Sequence, residues 1–180
     1  SKCLVGAFSY SGQVCIHTQR IYIHQEIFPE FSNRFADLVK GIKTGDPASA
    51  ETEFSSMIDE ANALRVESRV NEALEEGARL ICGGKREGTM YSPTVLTNTN
   101  ASMNVCSEEI FGPVVTLEQF EDFETAVEKM NNTRFGLQAG VFTNEIQEMN
   151  RAFEALEVGG VIINDVPTFR VDHMPYGGIK

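Results

Sequence analysis

From residue 114 onward the chain alternates short apolar runs with longer amphipathic ones, and this alternation leaves few folds open. Val114 to Leu117 reads as a strand buried on both faces. Ala126, Val127 and Met130 recur at helical spacing, Ala139 to Phe142 reads as a second strand, and Ile146, Met149, Phe153 and Leu156 fall on one helical face. Gly159-Gly160 stops that helix before the apolar strand Val161-Ile162-Ile163. Strands joined through helices predict a parallel sheet with right-handed crossovers.

The first two thirds obey the same grammar less strictly. Leu4, Val5, Ala7 and Phe8 read as the end of a helix, and Ile21 and Ile23, alternating with Arg20, Tyr22 and His24, as a short strand. Phe31, Phe35, Leu38, Val39 and Ile42 form an apolar helical face that Gly45-Asp46-Pro47 is expected to stop. Val66, Val70, Ala73 and Leu74 mark another helix ending near Gly77, followed by a strand over Arg79 to Cys82. Residues 88 to 97 read as extended, with Pro93 at an edge or a strand start. The expected architecture is a three-layer αβα domain, an α/β fold with a mostly parallel twisted sheet. At 180 residues, with no repeat, low-complexity tract or linker, one domain is expected.

A formal net charge of −11 opposes binding to nucleic acid or to anionic membrane surfaces. No apolar run approaches the ~20 residues of a membrane span, and no basic segment followed by an apolar one opens the chain, so a cytoplasmic location is expected. The four cysteines, Cys3, Cys15, Cys82 and Cys106, are scattered without a Cys-x-x-Cys pair, and His17, His24 and His173 form no ligand pattern. Neither a disulfide framework nor a bound metal is expected.

Three segments carry chemistry. In Tyr10-Ser11-Gly12-Gln13-Val14-Cys15 a thiol follows a glycine able to turn the backbone sharply. A thiolate can add to an electrophilic carbonyl carbon, and a short helix starting near Cys15 would favour both the thiolate and a developing oxyanion. His17 stands two residues beyond, a spacing that points its ring away from the thiol. In Glu108-Glu109-Ile110-Phe111-Gly112-Pro113 a carboxylate able to accept from ribose hydroxyls lies near a ring able to pack on a flat ligand. The closing stretch after Asn164 holds Phe169, Arg170, Asp172, His173 and then Pro175-Tyr176-Gly177-Gly178-Ile179-Lys180. Arg170 or His173 could meet a substrate carboxylate or phosphate there.

Together these three segments, in this order, resemble the catalytic part of the aldehyde dehydrogenase superfamily. The Tyr10-Ser11 pair, where many members carry Asn, is similar to the branch of lactaldehyde and non-phosphorylating glyceraldehyde-3-phosphate dehydrogenases. The resemblance implies that Cys15 forms a thiohemiacetal and then a thioester, and that Glu109 and Phe111 contact the nicotinamide ribose and ring of NAD or NADP. It implies a small-molecule aldehyde pocket lined by Val14, Ile16, Phe169, Arg170 and Tyr176, the last replacing a commoner Phe. It also implies that residues 1–180 are a truncated catalytic domain without its cofactor-binding domain, general base or oxyanion-hole asparagine. The piece alone is then expected to be inactive and the parent to be a homo-oligomer. A coenzyme A-dependent acylating enzyme, a non-catalytic module keeping the fold and a thiol hydrolase are the alternatives.

Overall fold

Strands buried on both faces organise the molecule, which is described by a computed structural model covering residues 1–180. Its elements in chain order are α1 (Lys2–Phe8), β1 (Arg20–His24), α2 (Phe28–Lys40), α3 (Glu60–Glu75), β2 (Arg79–Cys82), β3 (Arg86–Glu87), β4 (Met90–Tyr91) and β5 (Thr94–Thr97). There follow α4 (Asn104–Ser107), β6 (Val114–Phe120), α5 (Phe123–Asn131), β7 (Gln138–Val141), α6 (Ile146–Ala155) and β8 (Gly160–Ile163). The fold is mixed α/β with mostly parallel pairing, as the alternation predicts.

The central sheet has the order β1-β6-β5-β2, with β1, β6 and β5 mutually parallel and β2 an antiparallel edge bulged between Leu80 and Cys82. β7 and β8 form a separate parallel pair, and β3 and β4 a small antiparallel one. Successive side chains point to opposite faces of a strand. Val95, Val115 and Leu117 accordingly enter one core with Ala7 and Phe8 of α1 and Phe35 and Val39 of α2. Leu96 and Val114 enter the opposite core with Val66, Val70 and Ala73 of α3. A third cluster joins Val127 of α5, Ala139 and Val141 of β7, and Ala152 and Leu156 at α6.

Local signals explain the helix starts. Asp59 caps α3 by accepting from the Asn62 N–H at 2.7 Å, and Asp122 caps α5 by accepting from the Thr125 N–H at 3.0 Å. These hydrogen bonds hold both carboxyls below the usual aspartate range.

Three expectations need correction. Gly159-Gly160 does not stop α6, which ends at Ala155 with Leu156 already extended, and Gly160 opens β8. α2 ends at Lys40, before Gly45-Asp46-Pro47, because the chain turns at Gly41, whose N–H bonds back to Asp37 and Leu38 carbonyls; Leu38 is exposed. In α6, Ile146 and Phe153 face solvent at 70% and 77% exposure, whereas Ala152 and Leu156 are buried. The apolar spacing is real, but the seam facing β7 and β8 runs about one residue away from it.

Candidate active site

The thiol segment folds as a tight turn between α1 and β1. Tyr10 and Ser11 have φ of 53° and 56°, and Gly12 has φ of 68°, so three consecutive residues occupy the left-handed region. A Cβ on Gly12 would lie 2.2 Å from the Gly112 carbonyl oxygen. The turn thus rests directly on the backbone of the acidic-aromatic segment. Ser11 donates to the Ser55 carbonyl at 2.7 Å, and the Gln13 side chain accepts from the Ile58 N–H at 3.0 Å. Cys15 then stands exposed in a turn closed by the His17 N–H on the Val14 carbonyl, flanked by the part-buried Val14 and Ile16. No helix begins at Cys15, contrary to the condition under which helix amides would favour its thiolate.

His17 does turn away from the thiol, as its spacing predicts. Its Nε2 lies 2.8 Å from the Ala7 carbonyl oxygen, which puts the ring proton on Nε2 and ties the turn to α1. Burial pushes its pKa down to about 4, against a smaller opposing effect of that hydrogen bond.

The acidic-aromatic segment is pinned at Ile110. The Ile110 N–H donates to Gln19 Oε1 at 2.9 Å, and its carbonyl accepts from Arg65 at 2.7 Å. Gln19 Nε2 donates to the carbonyls of Glu108 at 2.8 Å and Val105 at 2.9 Å. Phe111 is thereby held at φ 48°, a conformation that costs a non-glycine residue about 1–2 kcal/mol. The residue is 37% exposed. Glu108 is occupied by an ion pair with Arg134, while Glu109 is exposed and makes neither a hydrogen bond nor an ion pair. Cys15, Val14, Ile16, Glu109 and Phe111 all line one cavity of about 810 Å³.

Phe169, Arg170 and Tyr176 lie outside that cavity's lining, on the exposed closing stretch. The Arg170 guanidinium sits 4.7 Å from the Tyr176 ring centre, and Arg170 also pairs with Asp172 at 3.7 Å. Desolvation raises the Tyr176 pKa; the neighbouring Cys15 raises it further and Arg170 lowers it. Burial also pushes the thiols of Cys3, Cys82 and Cys106 up, and no three His, Cys, Asp or Glu side chains converge in a metal-holding group. No helix is long and apolar enough to cross a membrane.

The sequence model of the aldehyde dehydrogenase family matches residues 1–180. This chain belongs to the aldehyde dehydrogenase family. It is 46% identical over 174 residues to the 3-sulfolactaldehyde dehydrogenase of Priestia megaterium, a match covering 97% of this chain and 36% of that protein. Its fold superposes with a TM-score of 0.98 on aldehyde dehydrogenase 21 from Physcomitrella patens, solved with its reaction product succinate, at 44% identity over 99% of this chain and 37% of the other. The glyceraldehyde-3-phosphate dehydrogenase GapN from Methanocaldococcus jannaschii, complexed with NADP, aligns with a TM-score of 0.96 at 35% identity, over 99% and 39%. The chain thus spans little more than a third of the proteins it resembles.

Within this family member, Gln19 and Arg65 are the supporting residues that reading the motifs missed. Their partners on the acidic-aromatic segment are backbone groups, which leave no trace in side-chain identity. Only the position of Gln19, between the thiol and β1, could have drawn attention to it.

Gln19→Glu keeps an acceptor for Ile110 but loses both donors to carbonyls. It is expected to lower stability by about 2–4 kcal/mol, read from the urea unfolding midpoint. His17 gives a pH signature. Its folded pKa lies below the unfolded value near 6.5, so the unfolded chain takes up the proton first. Stability is complete above pH 6.5 and falls as pH drops towards 4, by about 3 kcal/mol at most. His17→Gln should flatten this leg of the stability–pH curve.

Proposed function

We propose that residues 1–180 form the nucleophile-bearing catalytic domain of an NAD(P)-dependent aldehyde dehydrogenase that oxidises small hydroxylated or anionic aldehydes to carboxylic acids. The observation that carries this reading is the seating of Gly12 on Gly112, which sets Cys15, Glu109 and Phe111 around one cavity.

In this reading the Cys15 sulfur attacks the aldehyde carbon, and the oxygen becomes an oxyanion beside the backbone amides of the turn. Loss of hydride from that carbon leaves an acyl group on Cys15 as a thioester, which water then cleaves. The residues present fit a dinucleotide: the Phe111 ring is held out at the cavity, and the free Glu109 carboxylate suits a pair of ribose hydroxyls. NAD or NADP bound there would supply the hydride acceptor. Phe111 orients the flat ring, Glu109 fixes its sugar, and Val14 and Ile16 wall the aldehyde against water. Phe169 and Tyr176 form the entrance.

In this reading Arg170, outside the cavity lining on the exposed closing stretch, swings in to meet an anionic group of the substrate. Three similar proteins support the choice of substrate class: one is named for 3-sulfolactaldehyde, one for glyceraldehyde 3-phosphate, and one was solved with succinate. The group that activates water and most of the dinucleotide site belong to the part of the longer proteins that this chain does not match. The longer protein is a homo-oligomer in this reading, and the 180-residue chain alone is inactive.

The isolated chain should therefore yield no NADH or NADPH from lactaldehyde, while iodoacetamide at neutral pH modifies Cys15 ahead of Cys3, Cys82 and Cys106, as peptide mass spectrometry would show. In the full-length enzyme Cys15→Ser should reduce turnover by about a thousandfold or more. Arg170→Ala should raise KM by about tenfold for anionic aldehydes and leave neutral ones unchanged; an equal change for both would remove Arg170 from substrate recognition.

A further inference from the structure

The chain leaves α1, carries Cys15 round a loop and comes back to the end of the same helix. The last carbonyls of a helix have no partner inside it. In α1 the Val5 carbonyl accepts from the Ser9 N–H at the helix end. The next two are satisfied from the far side of the loop. The Gly6 carbonyl accepts from the Thr18 N–H at 2.9 Å, and the Ala7 carbonyl from His17 Nε2 at 2.8 Å. Gly6 and Ala7 are buried, and a Cβ on Gly6 would lie 2.5 Å from Thr18 Oγ1, so the returning chain rests directly on the helix.

The loop is moored in two halves. Its first half, residues 10–13, is held by the seat of Gly12 on Gly112, by Ser11 donating to the Ser55 carbonyl and by Gln13 accepting from the Ile58 N–H. Cys15 lies beyond these moorings. On its other side the Val14 carbonyl accepts from the His17 N–H at 3.0 Å, which closes the turn around the thiol, and the His17 ring then fixes that turn to α1. Val14 and Ile16 are apolar and the buried Thr18 hydroxyl has no partner, so this second half takes its side-chain anchorage from the imidazole. Ala7 in turn is packed with Phe8, Val115 and Leu117 in the core. Burial keeps the ring neutral, with a pKa of about 4, so at neutral pH it carries a single N–H, and that N–H is the one given to Ala7.

We propose that His17 is a positioning residue for Cys15: its imidazole, bridging from the thiol turn to the Ala7 carbonyl, sets where the sulfur stands relative to Phe111 and Glu109. The proposal rests on Cys15 being the nucleophile and deepens that reading. It gives His17 no proton transfer, since the ring turns away from the thiol and its one proton is engaged. Without that N–H the Ala7 carbonyl is left buried and unpaired. The Cys15 half of the loop is then free to shift while the Gly12 half stays seated on Gly112. The reacting carbon is carried on the sulfur, so a displacement of about 1 Å there costs about a hundredfold in rate. Affinity comes instead from the cavity walls, which this change leaves in place. The loss therefore falls on kcat rather than on KM.

The test compares His17→Phe, which keeps a flat ring without an N–H, with His17→Gln, whose side-chain amide can donate to the same carbonyl. In the 180-residue chain carrying His17→Phe, hydrogen exchange should quicken by about tenfold or more at the His17 and Thr18 amides. The Gln13 and Ile58 amides should stay unchanged, and His17→Gln should return the first pair towards the parent. In the full-length enzyme His17→Phe should lower kcat by about tenfold or more with KM within about twofold, and His17→Gln should recover most of the loss. Equal turnover in all three proteins would overturn the proposal, as would equal loss in both variants. So would exchange that quickens throughout the chain in His17→Phe, which would leave His17 a role in stability alone. Full turnover by Cys15→Ser would instead overturn the reading of Cys15 as the nucleophile, and the local exchange pattern would still decide whether His17 holds the turn.

Discussion

The contact between Gly12 and Gly112 is the constraint on which the site depends. Two stretches of backbone a hundred residues apart in sequence meet with no room for a side chain between them: a Cβ on Gly12 would strike the Gly112 carbonyl, and one on Gly112 would lie 2.6 Å from Val66 Cγ2 on α3. The stack therefore runs from the buried face of α3 through Gly112 to the turn that carries Cys15. Because Val66 is fully buried in the core under the sheet, the Cys15 turn inherits its position from packing rather than from its own sequence. Glycine at both points is what permits the close approach.

Polar groups around this stack are almost all engaged within the protein, and the pattern of the exceptions is informative. Ser11, Gln13, His17 and Gln19 each bond to backbone groups of neighbouring segments, so the turn is fixed from several sides. Arg65 secures the far end at Ile110, and Arg134 occupies Glu108. Apart from the buried Thr18 hydroxyl, which has no partner, the groups left free are the Cys15 thiol and the Glu109 carboxylate, both exposed. A rigid frame presenting two unengaged groups suits a site in which the frame sets the geometry and the ligand supplies the missing partners.

The alternation after residue 114 made the strand–helix–strand order legible, because periodicity reports directly on which side chains are buried. It could not report which strand lies beside which. β7 pairs with β8 and leaves β1 unpaired on one edge, a fact about backbone edges that side-chain pattern does not encode. The motifs located Cys15, Glu109 and Phe111 without showing why they meet. The positive φ at Tyr10, Ser11 and Phe111 is imposed by tertiary bonds on residues with no intrinsic preference for it. In α6 the apolar spacing of Ile146 and Phe153 suggested an inward face, but the small Ala152 is what fits against the strand pair. The residue types in a motif were thus a better guide to chemistry than to the packing that supports it.

The closing stretch has a further implication. It leaves the fold at Val166, which packs against Gly6 of α1, and returns at Gly177, whose carbonyl crosses so close to Gly159 that only glycine fits there; the Ile179 N–H then bonds to the Gly136 carbonyl. Between these moorings Phe169, Arg170 and Tyr176 hang from the frame without supporting it. Substitutions along this span change an exposed surface while leaving the anchored ends undisturbed. Sequence change is thus cheap along this span: it alters what an exposed stretch presents to solvent independently of foldability.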